Sequence, residues 1–184
     1  WMTPLRPDLA YSVKELARKL QEPTQEDFSR LKHTCKYLQG TRHYFIEFRS
    51  HIKYDGKTPL DIFTYVDSDW AGCRETRKST SGAVLQVLGA TIFACSRTQG
   101  TIALSSGEAE LYAIGSGISE TLHLKSFIEE AELAPKTTCT IGTDSTAGKS
   151  MATRTGVSKK TKHVQLRFLY MQDLICILYT SDAA

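Results

Sequence analysis

Acidic residues follow two apolar segments of this chain that are typical of buried strands. Asp67 and Asp69 come at the end of the β-branched and aromatic run 62–66, and Asp144 follows the run 138–143. A strand of this kind lies inside a sheet and carries the acid that follows it to one fixed point at the sheet edge. We therefore interpret these acids as parts of one site.

A third source of carboxylates is the segment that begins at Ser105, whose apolar periodicity predicts a helix. Ser105 and Glu108 fit a capping box at the start of this helix. Glu108 and Glu110 would lie about 160° apart on it and flank its apolar stripe on opposite sides. Only one of the two can face the site, and periodicity does not decide between them.

Each of these acids also has an ordinary structural explanation when it is taken singly. Asp67 and Asp69 fit turn residues, and Asp144 fits a helix cap. Glu108 and Glu110 fit a solvated first helical turn, where the helix dipole favours negative charge. What favours a site is their joint occurrence in strand, helix and strand contexts.

Carboxylates held this close would repel one another, and their pKa values would rise until some became neutral. A divalent cation removes that repulsion. Because the ligands are oxygens and the sequence has no competing cluster of His and Cys, we expect Mg²⁺ or Mn²⁺. Two such ions about 4 Å apart can activate a water and stabilise the leaving oxygen of a phosphodiester. The expected reaction is therefore phosphodiester hydrolysis.

The part of the chain after Asp144 is basic. Residues 145–184 include six basic and two acidic side chains, whereas the whole chain has a formal net charge of +3. Such a run is by default a solvated face, but its position beside the acids makes phosphate contact the functional alternative. The candidates for this contact are Lys149, Lys159, Lys160, Lys162 and Arg167.

The elements predicted around the acids form a mixed α/β arrangement. Residues 60–96 predict a three-stranded antiparallel meander in which the strand leading to Asp67 comes first. The helix from Ser105 follows, then the strand 138–143, and a further helix begins in 145–151.

Upstream of these elements the sequence predicts mainly helix. Residues 10–20 form a helical stripe that Pro23 ends, and 24–40 form a second helix with a cap-like start and a terminal Gly. Residues 44–48 predict a short strand. The polar segment 50–59, with its turn signals, predicts a linker.

The composition is that of a globular protein, with 41% hydrophobic and 23% charged residues in a chain of 184. Its five cysteines are widely spaced and odd in number, which favours a reducing compartment over a zinc module or a disulfide framework. No apolar run fits a membrane span and no signal peptide opens the chain, so we expect an intracellular protein. Because the sequence begins at Trp1 rather than Met, we expect a piece of a longer polypeptide.

Four motifs occur in an order and at a spacing that match a known family. They are Asp67-Ser68-Asp69-Trp70-Ala71-Gly72-Cys73, Arg77-Lys78-Ser79-Thr80-Ser81-Gly82, Ala103-Leu104-Ser105-Ser106-Gly107-Glu108-Ala109-Glu110-Leu111-Tyr112-Ala113 and Thr161-Lys162-His163-Val164. Together they resemble the ribonuclease H domain of copia-type retrotransposon polyproteins, over about residues 60–172. Upstream, 5–13 and 36–41 resemble the end of the adjoining reverse transcriptase, without the polymerase's own metal-binding motif.

This resemblance implies a ribonuclease H-like α/β fold, with a mixed five-stranded sheet, flanking helices and a small helical segment in front. It also implies that Asp67, Glu110 and Asp144 are the catalytic acids and hold two Mg²⁺ or Mn²⁺ ions. Asp69 would then be a supporting loop residue. Members of the family carry a fourth acid near the last helix, where this sequence has Gln165.

The implied activity is a metal-dependent endonuclease that hydrolyses the RNA strand of RNA/DNA hybrids during reverse transcription. Its partners would be the hybrid and the reverse transcriptase portion of the same polyprotein, with no membrane involved. Its place would be the cytoplasm, within a virus-like particle. His163 would assist substrate handling or product release, or would be a structural histidine.

Two rival functions stay open at this point. The missing acid at Gln165 fits a catalytically degenerate module that binds nucleic acid without cutting it. A phosphatase with Asp67 as covalent nucleophile would need a complementary Thr and Lys arrangement and would leave Glu110 unexplained. Trp70 is interpreted as a core anchor in preference to a nucleic-acid contact.

The expected organisation has three regions. Residues 1–59 would connect to the reverse transcriptase, and 60–175 would form the ribonuclease H-like domain, with an apolar-periodic stretch at 164–175. Residues 176–184 resemble a translated sequencing adapter and are expected not to be native protein.

Overall fold

The computed structural model describes residues 5–48 and 53–153, together with the single positions 170 and 173. Within these ranges a 3-10 turn leads into four helices and four strands. The helices and strands are α1 (Ala10–Ala17), α2 (Gln25–Gly40), β1 (Leu60–Ser68), β2 (Thr80–Val87), β3 (Ala90–Thr98), α3 (Ser106–Glu130), β4 (Thr137–Gly142) and α4 (Thr146–Thr153).

The sheet has the strand order β3-β2-β1-β4. The first three strands form the predicted antiparallel meander, and β4 pairs with β1 in parallel. A parallel pair needs a crossover, which α3 provides. The mixed α/β class and the compatibility with a ribonuclease H-like fold are thus confirmed. The described residues form four strands where the family resemblance predicts five.

The main core lies between the sheet and α3. Alternate residues of β1 are buried, and they include Ile62 and Val66. Val66 packs with Leu111, Ile114 and other buried side chains of α3 and β2. Gly117 allows this approach, because a Cβ at that position would overlap the side chain of Val66. The helix is thereby held directly on the strand that ends in Asp67.

Two hydroxyl groups join the same pair of elements inside the core. Thr64 on β1 and Thr121 on α3 are fully buried, and their Oγ1 atoms lie 2.6 Å apart in a hydrogen bond. Thr121 also donates to the carbonyl oxygen of Gly117. Because buried hydroxyls are costly without partners, this pair fixes how α3 sits along β1.

The two upstream helices form as predicted. Thr24 caps α2, accepting from the N–H of Asp27, while the carboxylate of Asp27 accepts from the N–H of Thr24. α2 ends at Gly40. α1 lies beside β3 and the loop after β1, where Lys14 Nζ donates to Thr80 Oγ1 at 2.7 Å.

The short strand predicted at 44–48 is wrong. These residues have no strand pairing, and Tyr44, Phe45 and Phe48 are exposed. A β-branched and aromatic composition makes a strand only when a neighbouring strand accepts its backbone hydrogen bonds. Of the apolar-periodic stretch predicted at 164–175 the structure describes only positions 170 and 173, and the tail 176–184 falls outside the described residues.

None of the helices in the described ranges combines the length and the apolar composition that crossing a membrane requires.

Candidate metal centre

The parallel pairing of β1 with β4 brings two acids to one edge of the sheet. The last pair in this register is Tyr65 with Gly142. Asp67 and Asp144 each lie two residues beyond that pair, so both leave the sheet at the same point. Both are exposed. Asp67 Oδ1 also accepts the N–H of Ser68 at 2.8 Å.

The two glutamates near the start of α3, Glu108 and Glu110, have different surroundings. Ser105 Oγ accepts the N–H of Glu108 at 3.2 Å and so caps the helix, as predicted. The carboxylate of Glu108 accepts the N–H of Leu104 at 2.8 Å and the hydroxyl of Tyr112. It therefore does not close the predicted capping box on the N–H of Ser105. Glu110 remains as the helix acid that can face the aspartates.

One carboxylate oxygen from each of Asp67, Glu110 and Asp144 lies within 4.8 Å of the other two. Glu110 is 9% exposed. Its Oε2 has no hydrogen-bond partner in the part of the chain that the structure describes. A buried oxygen without a partner is costly, and a small cation, which approaches oxygen to about 2.1 Å, would satisfy it. These residues therefore fit a magnesium-sized ion.

The charges and the burial of the cluster also favour a bound cation. Burial raises the pKa of Glu110 above its ordinary value, and the charges of Asp67 and Asp144 raise it further. The neighbouring Ser68 lowers the pKa of Glu110 without cancelling this effect. The site is therefore one in which negative charge is in excess until a cation or a proton enters.

The approach of α4 to α3 brings Asp144 to the cluster. Ser145, rather than Asp144, caps α4, since its Oγ accepts the N–H of Gly148 at 3.0 Å. This leaves the carboxylate of Asp144 available. At Gly148 an added Cβ would lie 2.8 Å from the Cβ of Glu110. Sequence reasoning missed Gly148, although a glycine inside a helical pattern often indicates close packing.

Asp69 supports the loop after β1 and does not join the cluster. The carboxylate of Asp69 accepts the N–H of Thr80, and the N–H of Asp69 donates to the carbonyl oxygen of Thr80. Its side chain lies where a Cβ on Gly72 would be, so that position needs glycine.

Comparison with known proteins supplies a separate line of evidence. No protein-family model matches the sequence. The chain is 29% identical, over 92% of its length, to the retrovirus-related Pol polyprotein from transposon TNT 1-94 of Nicotiana tabacum. It is 36% identical over 62% of its length to an uncharacterized mitochondrial protein, AtMg00810, of Arabidopsis thaliana. It is 35% identical over 67% of its length to the secreted RxLR effector protein 161 of Plasmopara viticola.

This chain is a homologue of copia-type retrotransposon Pol polyproteins. It spans 12% of the length of the TNT 1-94 polyprotein, 45% of the mitochondrial protein and 82% of the effector. The match to the polyprotein covers most of the chain, so it takes in both the helical segment and the α/β part.

The structure describes one of the other predicted site residues. Lys149 is exposed on α4, five residues after Asp144. The remaining candidates fall outside the described residues, as does Gln165, and these candidates are Lys159, Lys160, Lys162, His163 and Arg167.

The interpretation of Trp70 as a core anchor is wrong. Its side chain is 55% exposed, and its indole N–H donates to the carbonyl oxygen of Ala103 at 3.1 Å. Sequence periodicity could not show this, because Trp70 follows the end of β1, where the alternation of buried and exposed residues stops.

Proposed function

We propose that this protein is a metal-dependent endonuclease that hydrolyses the RNA strand of RNA/DNA hybrids during retrotransposon reverse transcription. The observation that carries this proposal is the meeting of Asp67, Glu110 and Asp144, with ligand oxygens within 4.8 Å of one another. Homology to Pol polyproteins supports a role in a retroelement, and the motifs of the ribonuclease H family support the reaction.

The same three residues would hold two Mg²⁺ or Mn²⁺ ions. All the donors are carboxylate oxygens, which these cations prefer, and the unpartnered Oε2 of Glu110 gives one donor that nothing else in the described chain engages. When bound, the metal pair supplies an activated water and stabilises the leaving oxygen of the scissile phosphodiester.

The fold of the chain positions the three carboxylates. Asp67 and Asp144 leave adjacent strands at one sheet edge, and Glu110 reaches them from a helix packed on β1. A rigid support of this kind keeps the three carboxylates in a fixed arrangement, so little reorganisation is needed when substrate binds. In the absence of metal, Glu110 is the acid whose environment favours holding a proton.

The substrate and the partners follow from the same reasoning. The substrate would be the RNA strand of a hybrid, since ribonuclease H-like sites act on that strand in the family that the motifs resemble. RNA would be distinguished by contacts to its 2′-hydroxyls across the minor groove. The reverse transcriptase portion of the same polyprotein would be the covalent partner, and the site of action would be a cytoplasmic virus-like particle.

The direct test is cleavage of a labelled RNA/DNA hybrid in Mg²⁺, with RNA and DNA duplexes of the same sequence alongside. We expect cutting of the RNA strand of the hybrid alone. Asp67→Asn should reduce the rate by at least about 100-fold, which is the upper end of the cost of losing an outer partner of a metal site. Asp61→Asn is the matched control, because Asp61 is an exposed acid on the same strand at the end far from the cluster.

Two results would count against this proposal. Equal loss in Asp61→Asn and Asp67→Asn would show that the cluster has no special role. Binding of the hybrid without any cutting, in Mg²⁺ and in Mn²⁺, would instead favour a degenerate binding module. Recovery of cutting in Gln165→Asp would then assign the defect to the missing fourth acid.

A further inference from the structure

An exposed apolar surface lies beside the acidic cluster. Trp70, three residues after Asp67, is 55% exposed, and its indole N–H holds it against the segment that leads into α3. In that segment Ile102 and Leu104 are 48% and 69% exposed. Because the hydrogen bond joins Trp70 to Ala103, the exposed side chains of Ile102 and Leu104 flank the residue that holds the indole.

This surface is held rigidly from both sides. The N–H of Ala71 donates to the buried hydroxyl of Ser79 at 2.9 Å, which fixes the chain directly after Trp70. The N–H of Leu104 donates to Glu108 at 2.8 Å, which fixes the other segment. A preorganised aromatic side chain loses little conformational entropy when it binds a partner.

The loop that follows Trp70 is basic. Arg74 and Arg77 are exposed and Lys78 is half-buried, and none of the three forms an ion pair with another described residue. The one acid among them, Glu75, is neutralised by Lys19 at 2.6 Å. The loop therefore presents uncompensated positive charge next to the exposed apolar surface.

The backbone closes this loop tightly. The N–H of Arg77 donates to the carbonyl of Cys73 at 2.8 Å, and the N–H of Cys73 donates to Lys78 at 3.2 Å. Arg77 has φ of +54°, a left-handed conformation that favours glycine.

We propose that the loop 70–78, together with Leu104, is the surface on which the chain holds one strand of its nucleic-acid substrate. Arg74, Arg77 and Lys78 contact phosphates, while the ring of Trp70 and the side chain of Leu104 pack against bases or sugars. A polyanion with apolar faces is the partner that matches cationic and aromatic groups presented together. This inference rests on the proposed function, because the surface lies beside its site.

The assignment adds to the candidates drawn from sequence, which all follow Asp144. The loop joins β1 to β2, on the side of β1 away from β4. Carboxylates repel phosphates, so a strand crossing the cluster needs cations on its flanks as well as in the site. The loop provides them beside the first acid.

The first test measures affinity rather than cleavage. A fluorescent RNA/DNA hybrid is titrated with wild type and with the double variant Arg74→Gln, Arg77→Gly, over a range of salt concentrations. Glycine suits the positive φ of Arg77, so the variant removes charge without straining the loop. We expect affinity to fall about 10-fold or more at moderate salt, and the slope of log affinity against log salt to fall by about 2.

The matched control is Lys53→Gln, Lys57→Gln. It removes the same charge from exposed positions before the start of β1, at the other end of a nine-residue strand. A general electrostatic effect would lower the affinity of both double variants equally. The proposed surface predicts a loss in the loop variant and little change in the control.

The second test observes Trp70 directly. The chain contains two tryptophans, Trp1 and Trp70, so Trp1→Phe leaves Trp70 as the single indole fluorophore. We expect hybrid to change its emission, and we expect Trp70→Phe to keep more of the binding affinity than Trp70→Ala, because a ring can still stack. If the indole served only to hold Ala103, both substitutions would have the same effect.

Unchanged affinity and salt slope in the loop variant, with unchanged Trp70 emission, would overturn the proposal. Emission that depends on protein concentration but not on hybrid would overturn it too, and would assign the surface to a second copy of the chain. Binding that needs the loop, without any cleavage, would support this inference while sinking the proposed endonuclease. Absence of hybrid binding by wild type would sink both.

Discussion

Glu110 is the buried acid of the three, and burial and the neighbouring charges raise its pKa. Its ionised form therefore acts against the folded protein as long as no cation is bound. Glu108, two residues earlier, is committed to Leu104 and Tyr112 at the start of α3. The family resemblance pointed to Glu110, whereas helical periodicity left the choice open, because it shows which residues share a face but not which loop donor each one meets.

We expect Glu110 to make the free energy of unfolding depend on pH. An acid whose pKa is raised by folding contributes stability at pH below its ordinary value, and that contribution is lost as pH rises through the raised value. In metal-free wild type, the free energy of unfolding should therefore fall relative to Glu110→Gln as pH rises. Urea unfolding in a chelator, from about pH 4 to about pH 8, measures this difference.

Added Mg²⁺ provides the second half of that experiment. It should stabilise wild type at neutral pH, because it binds the folded cluster, and it should stabilise Glu110→Gln less. A difference between the two proteins that does not vary with pH or with Mg²⁺ would show that Glu110 is an ordinary buried acid.

Among the elements, α3 and α4 decide whether the carboxylates meet. Gly148 lets α4 lie against the turn of α3 that carries Glu110, and the capping hydroxyl of Ser145 sets where α4 begins. Local signals in the sequence predicted both helices and the strand between them. They could not predict this contact, since it joins two helices that are distant along the chain.

Gly148→Ala tests this arrangement. The added Cβ would lie 2.8 Å from the Cβ of Glu110 and 3.2 Å from Ile114 Cδ1, so α4 must shift and take Asp144 with it. We expect hybrid cleavage to fall by about 10-fold or more, because displacements near 1 Å can cost about 100-fold. Because alanine forms helix better than glycine, Gly148→Ala can raise thermal stability. A loss of cleavage together with such a gain would show that the loss does not come from unfolding.

Ser150→Ala is the control on the same helix, because Ser150 is exposed and the change raises helix propensity without adding a contact to α3. Full activity in Gly148→Ala would mean that α4 does not determine the position of Asp144.

The remaining elements show where sequence reasoning works and where it stops. The caps at Thr24 and Ser105 were predictable, because a cap depends on residues within one turn of each other. The strand expected at 44–48 failed because pairing needs a distant partner, which composition cannot reveal. The exposure of Trp70 was missed for a similar reason, since it lies in a loop where no periodicity applies.

At the scale of the whole molecule, the helical segment and the α/β part are joined by specific contacts. Lys14 of α1 bonds to Thr80, the first residue of β2, and Lys19, two residues after α1, forms an ion pair with Glu75 in the loop that follows Asp67. Similarity to the TNT 1-94 polyprotein extends over 92% of the chain and therefore includes α2 as well as the α/β part. The helical segment and the α/β part are therefore matched together in this relative.

The central claim is that three carboxylates from a strand, a helix and a second strand hold divalent metal. The most direct measurement is the number of Mn²⁺ ions bound per chain, by isothermal titration calorimetry of wild type and of Asp67→Asn, Glu110→Gln and Asp144→Asn. We predict two ions in wild type and a loss of affinity in each variant, with Asp61→Asn unchanged. No binding by wild type, or binding that all three variants retain, would contradict the account.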